Sequence, residues 1–139
     1  KISTHLASSS INLVTKSLAI ALFAKLVHFG KNIYANFNLT LVDDTHIYIG
    51  DCTMLGPNVT IATAGHPILP ELREKGLQYN LPVHIGRNCW IGAGALIMPG
   101  VTIGDNVTIG AGSLVNRDVP SDSVAVGVPC RVIKQSKQE

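Results

Sequence analysis

The sequence contains few charged and few aromatic residues. Of its 139 residues, 14% are charged and 5% are aromatic, whereas 46% are hydrophobic. This composition excludes intrinsic disorder, which requires low hydrophobicity and high net charge, and it leaves aliphatic side chains to fill the core. The net charge is only +2, and no run of Lys or Arg suggests a groove for nucleic acid. The length predicts a single domain.

Cysteine is also scarce. The three cysteines, Cys52, Cys89 and Cys130, form neither a CxxC pair nor a Cys/His spacing typical of zinc sites. An odd number without paired spacing argues against a disulfide framework and fits a reducing compartment. We therefore predict a cytoplasmic protein without a bound metal.

Long apolar stretches are absent apart from residues 18–29, which read LAIALFAKLVHF. This stretch is too short to span a bilayer and is interrupted by Lys25, so we predict no membrane association. We expect it to form a short buried helix or a first irregular coil. The sequence does not begin with Met, as expected of a fragment.

Six-residue units repeat along most of the chain. From Ile85 the sequence reads IGRNCW, IGAGAL, IMPGVT, IGDNVT, IGAGSL and VNRDVP. The same frame reads IGDCTM, LGPNVT and IATAGH from Ile49 and, after an offset of two residues, FGKNIY, ANFNLT and LVDDTH from Phe29. Each unit alternates like a short strand with one buried face, and its Gly or Asn permits a turn. Coils of three such units would stack into a β-helix, because one coil cannot bury its apolar face alone. An ordinary sandwich of short strands would not keep this fixed period.

Residues 65–82, GHPILPELREKGLQYNLP, interrupt the repeat, and loops extruded from a solenoid are often functional. We expect one helical turn at residues 71–75, ended by Gly76. Pro67 biases His66 toward an extended backbone, which holds this histidine where the chain leaves the helix. His66 is our candidate general base, since imidazole titrates near neutrality. The alternative is an ordinary surface histidine.

The segments YANFNLTLVDD and TIATAGHPILPELREKGLQYNLPVHIGRNCWIGAGALIMPGVTIG resemble the hexapeptide-repeat acyltransferases, in the galactoside and maltose O-acetyltransferase branch. The resemblance implies left-handed coils, an exception to the usual right-handed crossover. It also implies a homotrimer with active sites between subunits, acetyl-CoA as the donor, and a sugar acceptor of the galactoside, maltose or glucose type. We therefore predict an all-β chain with a divergent, possibly helical segment at 1–28, a left-handed parallel β-helix at 29–134 with a loop at 65–82, and a tail at 135–139.

The resemblance also assigns site residues. In that branch the histidine of the Gly-His-Pro turn, here His66, is the catalytic base, and Asn36 and Asp44 correspond to acceptor-binding residues. The alternative for Asn36 and Asp44 is that they only form turns. The predicted coenzyme A residues are Trp90, Ala93, Ala111, Asn116, Arg117, Arg131 and Lys134.

The residue types suit these roles. Trp90 follows the inward position of Cys89 and should point outward, toward a ligand or a partner subunit. Ala93 and Ala111 allow close approach to the backbone, and Arg131 suits a phosphate.

The predicted mechanism is direct acetyl transfer with His66 as the base and a backbone N–H or small donor stabilising the oxyanion. A nucleophilic Cys89 or Cys130 is the competing route, although Cys89 should point into the core. No His pair has the five-residue separation of the hexapeptide-repeat carbonic anhydrases. Two other functions stay open: acetylation of a xenobiotic, serine or oligosaccharide, and a non-catalytic binding or assembly module. The second is motivated by residues 1–28, which do not resemble the family's N-terminal helical segment.

Overall fold

The computed structural model describes residues 14–15, 20–21 and 24–135 of the chain. These residues are almost entirely short strands, as the hexads predict. In chain order the strands are β1 Val14–Thr15, β2 Ile20–Ala21, β3 Val27–Phe29, β4 Tyr34–Ala35, β5 Thr40–Val42, β6 Ile47–Ile49, β7 Met54–Leu55, β8 Thr60–Ala62, β9 Ala64–Gly65, β10 Tyr79–Asn80, β11 Val83–Ile85, β12 Trp90–Ile91, β13 Leu96–Ile97, β14 Thr102–Ile103, β15 Thr108–Ile109, β16 Leu114–Val115, β17 Ser123–Val126 and β18 Arg131–Gln135. A 3-10 turn spans Ala24–Leu26, and the helix α1 spans Pro70–Glu74.

The strands form the three faces of a parallel β-helix. Face 1 contains β3, β6, β11 and β14; face 2 contains β1, β4, β7, β12, β15 and β17, with β18 antiparallel at its end; face 3 contains β2, β5, β8, β13 and β16. The chain visits faces 1, 2 and 3 in turn. We call the turn from face 1 to face 2 edge 1, that from face 2 to face 3 edge 2, and that from face 3 back to face 1 edge 3.

The register explains the two-residue offset in the sequence repeat. Val27 pairs with Ile47, 20 residues later, whereas His84 pairs with Thr102, 18 residues later. The extra residues of the longer coil lie on edge 3, between β5 and β6. Edge 3 is therefore the corner at which this helix accepts insertions, and residues 63–82 are inserted at the same corner one coil later.

The inward positions of the hexads form one aliphatic core, as predicted. The residues that open the six clearest units are at most 3% exposed: Ile85, Ile91, Ile97, Ile103, Ile109 and Val115. The residues four positions later are also buried: Cys89, Ala95, Val101, Val107, Ser113 and Val119. Each fully buried Ile or Val contributes about 1.5–3 kcal/mol of transfer free energy, so the stack is stabilised mainly by this column.

The turns use the left-handed backbone region that Gly and Asn tolerate. Asn88 and Asn106 have φ of 52° and 56°, and Gly94 and Gly112 have φ of 69° and 70°. The Asn side chains also bond from coil to coil, since the Asn88 Nδ2 donates to Asn106 Oδ1 at 3.0 Å. Cys52 takes this turn position on edge 1 with a φ of 60°. Unlike Asn, Cys does not favour the left-handed region and has no side-chain amide to bond to the next coil.

Within residues 1–28, the described part of the chain forms a first, irregular coil, which is one of the two forms expected for the apolar stretch 18–29. Strands β1 and β2 pair with β4 and β5 at the 20-residue separation of the next coil, as Val14 with Tyr34 and Ile20 with Thr40. Coils of the β-helix are therefore present before Phe29, and the described part of the apolar stretch 18–29 contributes two strands, β2 and β3, and one 3-10 turn. The hexads are too degenerate there to be recognised. Residues 1–13, 16–19, 22–23 and 136–139, which include most of the predicted tail, lie outside the described residues.

Residues 63–82, here called the arm, leave the helix at edge 3. The arm begins and ends in a short antiparallel ribbon formed by β9 and β10. Its outer part contains α1, and Gly76 follows with a φ of 72°. The predicted helical turn is confirmed and starts one residue earlier than expected, because Pro70 suits the first turn of a helix.

Candidate active site

The ribbon at the base of the arm determines which side chains accompany His66. Gly65 pairs with Tyr79 and Ala64 with Asn80, so His66 lies opposite Gln78. Opposed residues of an antiparallel pair direct their side chains to the same side of the ribbon. Tyr79 lies on the other side, where its ring packs directly over Gly65. His66, Gln78 and Asn80 therefore share one side of the ribbon.

The imidazole of His66 is oriented by the backbone of the opposite strand. Its Nδ1 lies 3.1 Å from the carbonyl oxygen of Leu77, and its side chain is exposed. A carbonyl oxygen only accepts hydrogen bonds, so Nδ1 carries the proton in this contact. In the neutral ring, the lone pair of Nε2 is then able to accept a proton from a ligand. This is the state that a general base requires.

A second set of bonds stiffens the segment that follows His66. The guanidinium of Arg73 donates to the carbonyl oxygen of Pro67 at 3.0 Å and also to that of Ile68. Pro70 restricts the backbone at the start of α1. The helix of the arm is thereby tied back to the His66–Pro67 turn, which limits the positions that the imidazole can take.

A polar cluster connects the arm to the preceding coil. The Gln78 Nε2 donates to Asp44 Oδ1 at 3.0 Å and to Asn80 Oδ1 at 2.8 Å. Asp44 lies on edge 3, in the turn with the two extra residues. Sequence reasoning predicted Asp44 but missed Gln78 and Asn80, because two-residue strands inside a loop leave no periodic signal.

The predicted site residues divide between two edges of the helix. Edge 3 carries Asp44, His66, Asn116 and Arg117, whereas edge 2 carries Asn36, Ala93 and Ala111. The Asn36 Oδ1 accepts from the Phe37 N–H at 2.8 Å, so the side chain does serve its turn. Within one chain, Asn36 and His66 lie at opposite margins of face 3.

Edge 2 presents an open strip of small residues. Ala93 and Ala111 are exposed and lie on adjacent coils, where the Ala93 carbonyl accepts from the Gly112 N–H at 2.8 Å. A Cβ added at Gly94 or Gly112 would meet no atom within 4 Å. The strip thus exposes backbone groups to a ligand lying along the edge. An extended pantetheine chain would need such exposed backbone groups.

Trp90 and Lys134 lie in one row across face 2. Trp90 pairs with Thr108, Thr108 with Val124, and Val124 with Lys134. Trp90 is 55% exposed, which confirms its predicted outward orientation. Arg131 pairs with Val126 close to edge 2, and its Nη1 donates to the Cys130 carbonyl at 2.6 Å. An aromatic ring and two cations therefore flank the open strip.

The buried cysteines do not suit a nucleophilic role. Cys89 is 1% exposed, as predicted, and its Sγ donates to the Gly104 carbonyl at 3.1 Å. Burial raises the pKa of the Cys89 thiol, and burial likewise raises the pKa of Cys130. Both thiols are thus kept in the unreactive neutral form. Cys52 is exposed and lies on edge 1.

Three further histidines, His28, His46 and His84, lie on face 1 or in the turn next to it. The His28 Nε2 and the His46 Nδ1 are 2.8 Å apart, and the ring of Tyr48 stacks between His28 and His84 with centroid distances of 4.6 Å. Over residues 14–15, 20–21 and 24–135, no group of three or more His, Cys, Asp or Glu side chains is placed to hold a metal ion. None of the helices in that part of the chain is long and apolar enough to cross a membrane.

Comparison with known proteins identifies relatives of this architecture. Residues 82–117 match the bacterial transferase hexapeptide family (six repeats). A galactoside O-acetyltransferase of Lactococcus lactis is 61% identical over 108 residues, which are 78% of this chain and 52% of that protein. The chain therefore spans about half the length of the curated relatives it matches.

Two solved structures resemble this chain over most of its length. A galactoside acetyltransferase in complex with coenzyme A is 48% identical with a TM-score of 0.83, covering 88% of this chain and 64% of that one. A maltose O-acetyltransferase of Clostridium difficile 630 is 48% identical with a TM-score of 0.81, covering 90% of this chain and 70% of that one. The predicted fold class, a left-handed parallel β-helix with an extruded loop, is confirmed.

Proposed function

Because the chain belongs to the hexapeptide-repeat acetyltransferases, in the branch of the galactoside and maltose O-acetyltransferases, we propose that it transfers the acetyl group of acetyl-CoA to a sugar hydroxyl. The observation that carries the proposal is the contact between His66 and Leu77. This contact leaves the imidazole Nε2 able to accept a proton at the exposed base of the arm.

In the proposed reaction, His66 Nε2 removes the proton of the acceptor hydroxyl while its oxygen attacks the thioester carbonyl. The tetrahedral intermediate then collapses, the carbon–sulfur bond breaks, and the coenzyme A sulfur takes the proton from the imidazolium. The products are an acetyl ester and free coenzyme A. A positioned base contributes about 10²–10⁴-fold to the rate, and holding both substrates in one cleft supplies much of the remainder.

The site requires two subunits of a homotrimer in this proposal. Asn36 and the small-residue strip occupy edge 2, whereas His66 and Asp44 occupy edge 3. If edge 3 of one subunit faces edge 2 of its neighbour, the two sets form one cleft between them. A closed cyclic trimer repeats this contact three times and leaves no set unused.

The same pairing accounts for the predicted ligand contacts. Asn36 and Asp44 would bind the acceptor, because an amide and a carboxylate together donate to and accept from its hydroxyls. Coenzyme A would lie along edge 2, with Trp90, Ala93 and Ala111 beside its pantetheine chain.

Basic residues would meet the phosphates in the same cleft. Arg131 and Lys134 come from the subunit that provides edge 2. Asn116 and Arg117 would approach from edge 3 of the neighbouring subunit.

We also propose a cytoplasmic location, supported by the three free cysteines.

Substitution of the base tests the proposed reaction. We expect His66→Ala to lower acetyl transfer to galactosides or maltose at least about a hundredfold in a thiol-release assay. Assembly and the thermal shift produced by coenzyme A should be unchanged. His84→Ala, which removes an exposed histidine of face 1, is the matched control and should keep full activity. Near-normal turnover by the His66 variant would rule out the mechanism, and a chain that coenzyme A does not stabilise would favour a non-catalytic module.

Complementation tests the shared site. His66→Ala and Asn36→Ala subunits, inactive alone, are unfolded together and refolded as mixed trimers. About a quarter of the interfaces would then combine an intact His66 with an intact Asn36. Recovery of activity supports the two-subunit cleft, whereas mixtures that stay inactive contradict it.

A further inference from the structure

We propose that Gln78 is a positioning residue that fixes the Asp44 carboxylate for the acceptor and thereby sets the affinity for the sugar, a role that rests on the acetyl transfer proposed above. Gln78 belongs to the arm, whereas Asp44 belongs to the coil beneath it. Their hydrogen bond of 3.0 Å joins the two parts directly beside the base.

Both N–H groups of the Gln78 amide are used in this cluster. One donates to Asp44 Oδ1 and the other to Asn80 Oδ1 at 2.8 Å. A carboxylate accepts up to about four hydrogen bonds, so Asp44 keeps capacity to accept from sugar hydroxyls while its plane is held by the amide. Without that donor, the side chain would be free to rotate, and binding the acceptor would then cost its ordering entropy.

The position of Gln78 also links the carboxylate to the base. Gln78 lies opposite His66 in the ribbon, and the carbonyl of the preceding residue, Leu77, orients the imidazole. Leu77 thus holds the His66 imidazole through its backbone carbonyl, and the next residue, Gln78, holds the Asp44 carboxylate through its side chain. Their spacing fixes where a hydroxyl bound at Asp44 lies relative to Nε2.

The chemistry of the bond predicts how substitutions behave. Gln78→Glu keeps the size and shape but replaces the donors with a second negative charge beside Asp44. Gln78→Met removes the donors without adding charge. Gln78→Lys keeps a donor for the carboxylate. A structural role that depends on bulk alone would not separate Glu and Met from Lys.

Steady-state kinetics with the full chain test the role. We expect Gln78→Glu to raise the acceptor KM about tenfold and Gln78→Met to raise it by a smaller factor, because a hydrogen bond to a charged group is lost. The KM for acetyl-CoA should change less than about twofold, since Gln78 is not among the residues proposed to contact that ligand. Gln78→Lys should stay close to the unmodified chain. Glu74→Gln, on the exposed outer part of the arm, is the control and should change neither KM.

A double substitution shows whether Gln78 acts through Asp44. Asp44→Asn combined with Gln78→Met should raise the acceptor KM by less than the product of the two single effects. If the Asp44 and Gln78 substitutions act independently, or if neither Gln78→Glu nor Gln78→Met changes the acceptor KM, the role of Gln78 is overturned while the proposed function stands. Absence of acetyl transfer by the unmodified chain overturns the proposed function as well, so the two failures are distinguishable.

Discussion

The Nδ1 of His66 lies 3.1 Å from the carbonyl oxygen of Leu77, the residue that precedes its cross-strand neighbour. This contact assigns the proton of the neutral ring to Nδ1. Long-range ¹⁵N correlation spectra of the neutral ring should show a protonated Nδ1 and an unprotonated Nε2 for His66. The opposite tautomer would contradict the assigned role, because Nε2 would then have no lone pair for the acceptor proton.

A second prediction concerns edge 2. The backbone of the next coil comes so close to Gly92 that an added Cβ would lie 2.6 Å from the Ala111 nitrogen and 2.7 Å from the Ile109 oxygen. Backbone atoms cannot yield cheaply, so we expect Gly92→Ala to lower the free energy of unfolding by about 3 kcal/mol. Urea unfolding measures the change.

Gly112→Ala is the matched control on the same edge. It also carries a Cβ into a turn, but there it meets open space, and only the φ of 70° opposes it. That strain is worth about 1 kcal/mol. Equal losses for the two variants would show that the close stacking of the coils is not what excludes a side chain at Gly92.

A third prediction uses the turn at Cys52. Asn32, Asn88 and Asn106 take the corresponding turn position of other coils on edge 1, all with positive φ. Cys52→Asn should therefore stabilise the fold by about 0.5–1 kcal/mol, because Asn suits this backbone and can bond to its neighbours along the edge. Chemical denaturation measures the gain. Cys52→Val, with a branched Cβ in the same turn, should destabilise the fold, and a neutral or harmful Asn would contradict the explanation.

A fourth prediction separates the three thiols. In the folded protein a thiol reagent should modify Cys52 rapidly, because it is exposed, and Cys89 and Cys130 slowly, because burial raises the pKa of both and blocks access. Mass spectrometry after timed labelling should show one fast site, and all three should react in denaturant. Rapid modification of Cys89 in the folded state would reopen the nucleophilic route.

The sequence repeat predicted the β-helix because every coil must bury the same two inward positions, and this constraint is visible in residues such as Ile91 and Ile97. It failed before Phe29, where β1 and β2 follow no clear hexad yet pair in register. The candidate base was found because Pro67 and the interrupted repeat mark His66. Its partners Leu77 and Gln78 were not found, because hairpin register inside the arm depends on tertiary pairing rather than on local pattern. The separation of Asn36 from His66 likewise emerges only when coils are assigned to edges.

The antiparallel strand β18 has a consequence for solubility. A solenoid of parallel strands ends in unpaired backbone donors and acceptors that would accept the next solenoid, and stacking of that kind produces fibres. On face 2 the last described strand, β18, runs in the opposite direction and carries Arg131 and Lys134, and its pairing with β17 shifts register between Val124 and Ala125. Reversed polarity, a bulge and positive charge all disfavour end-to-end growth, so the cations proposed to meet phosphates would also keep the molecules apart.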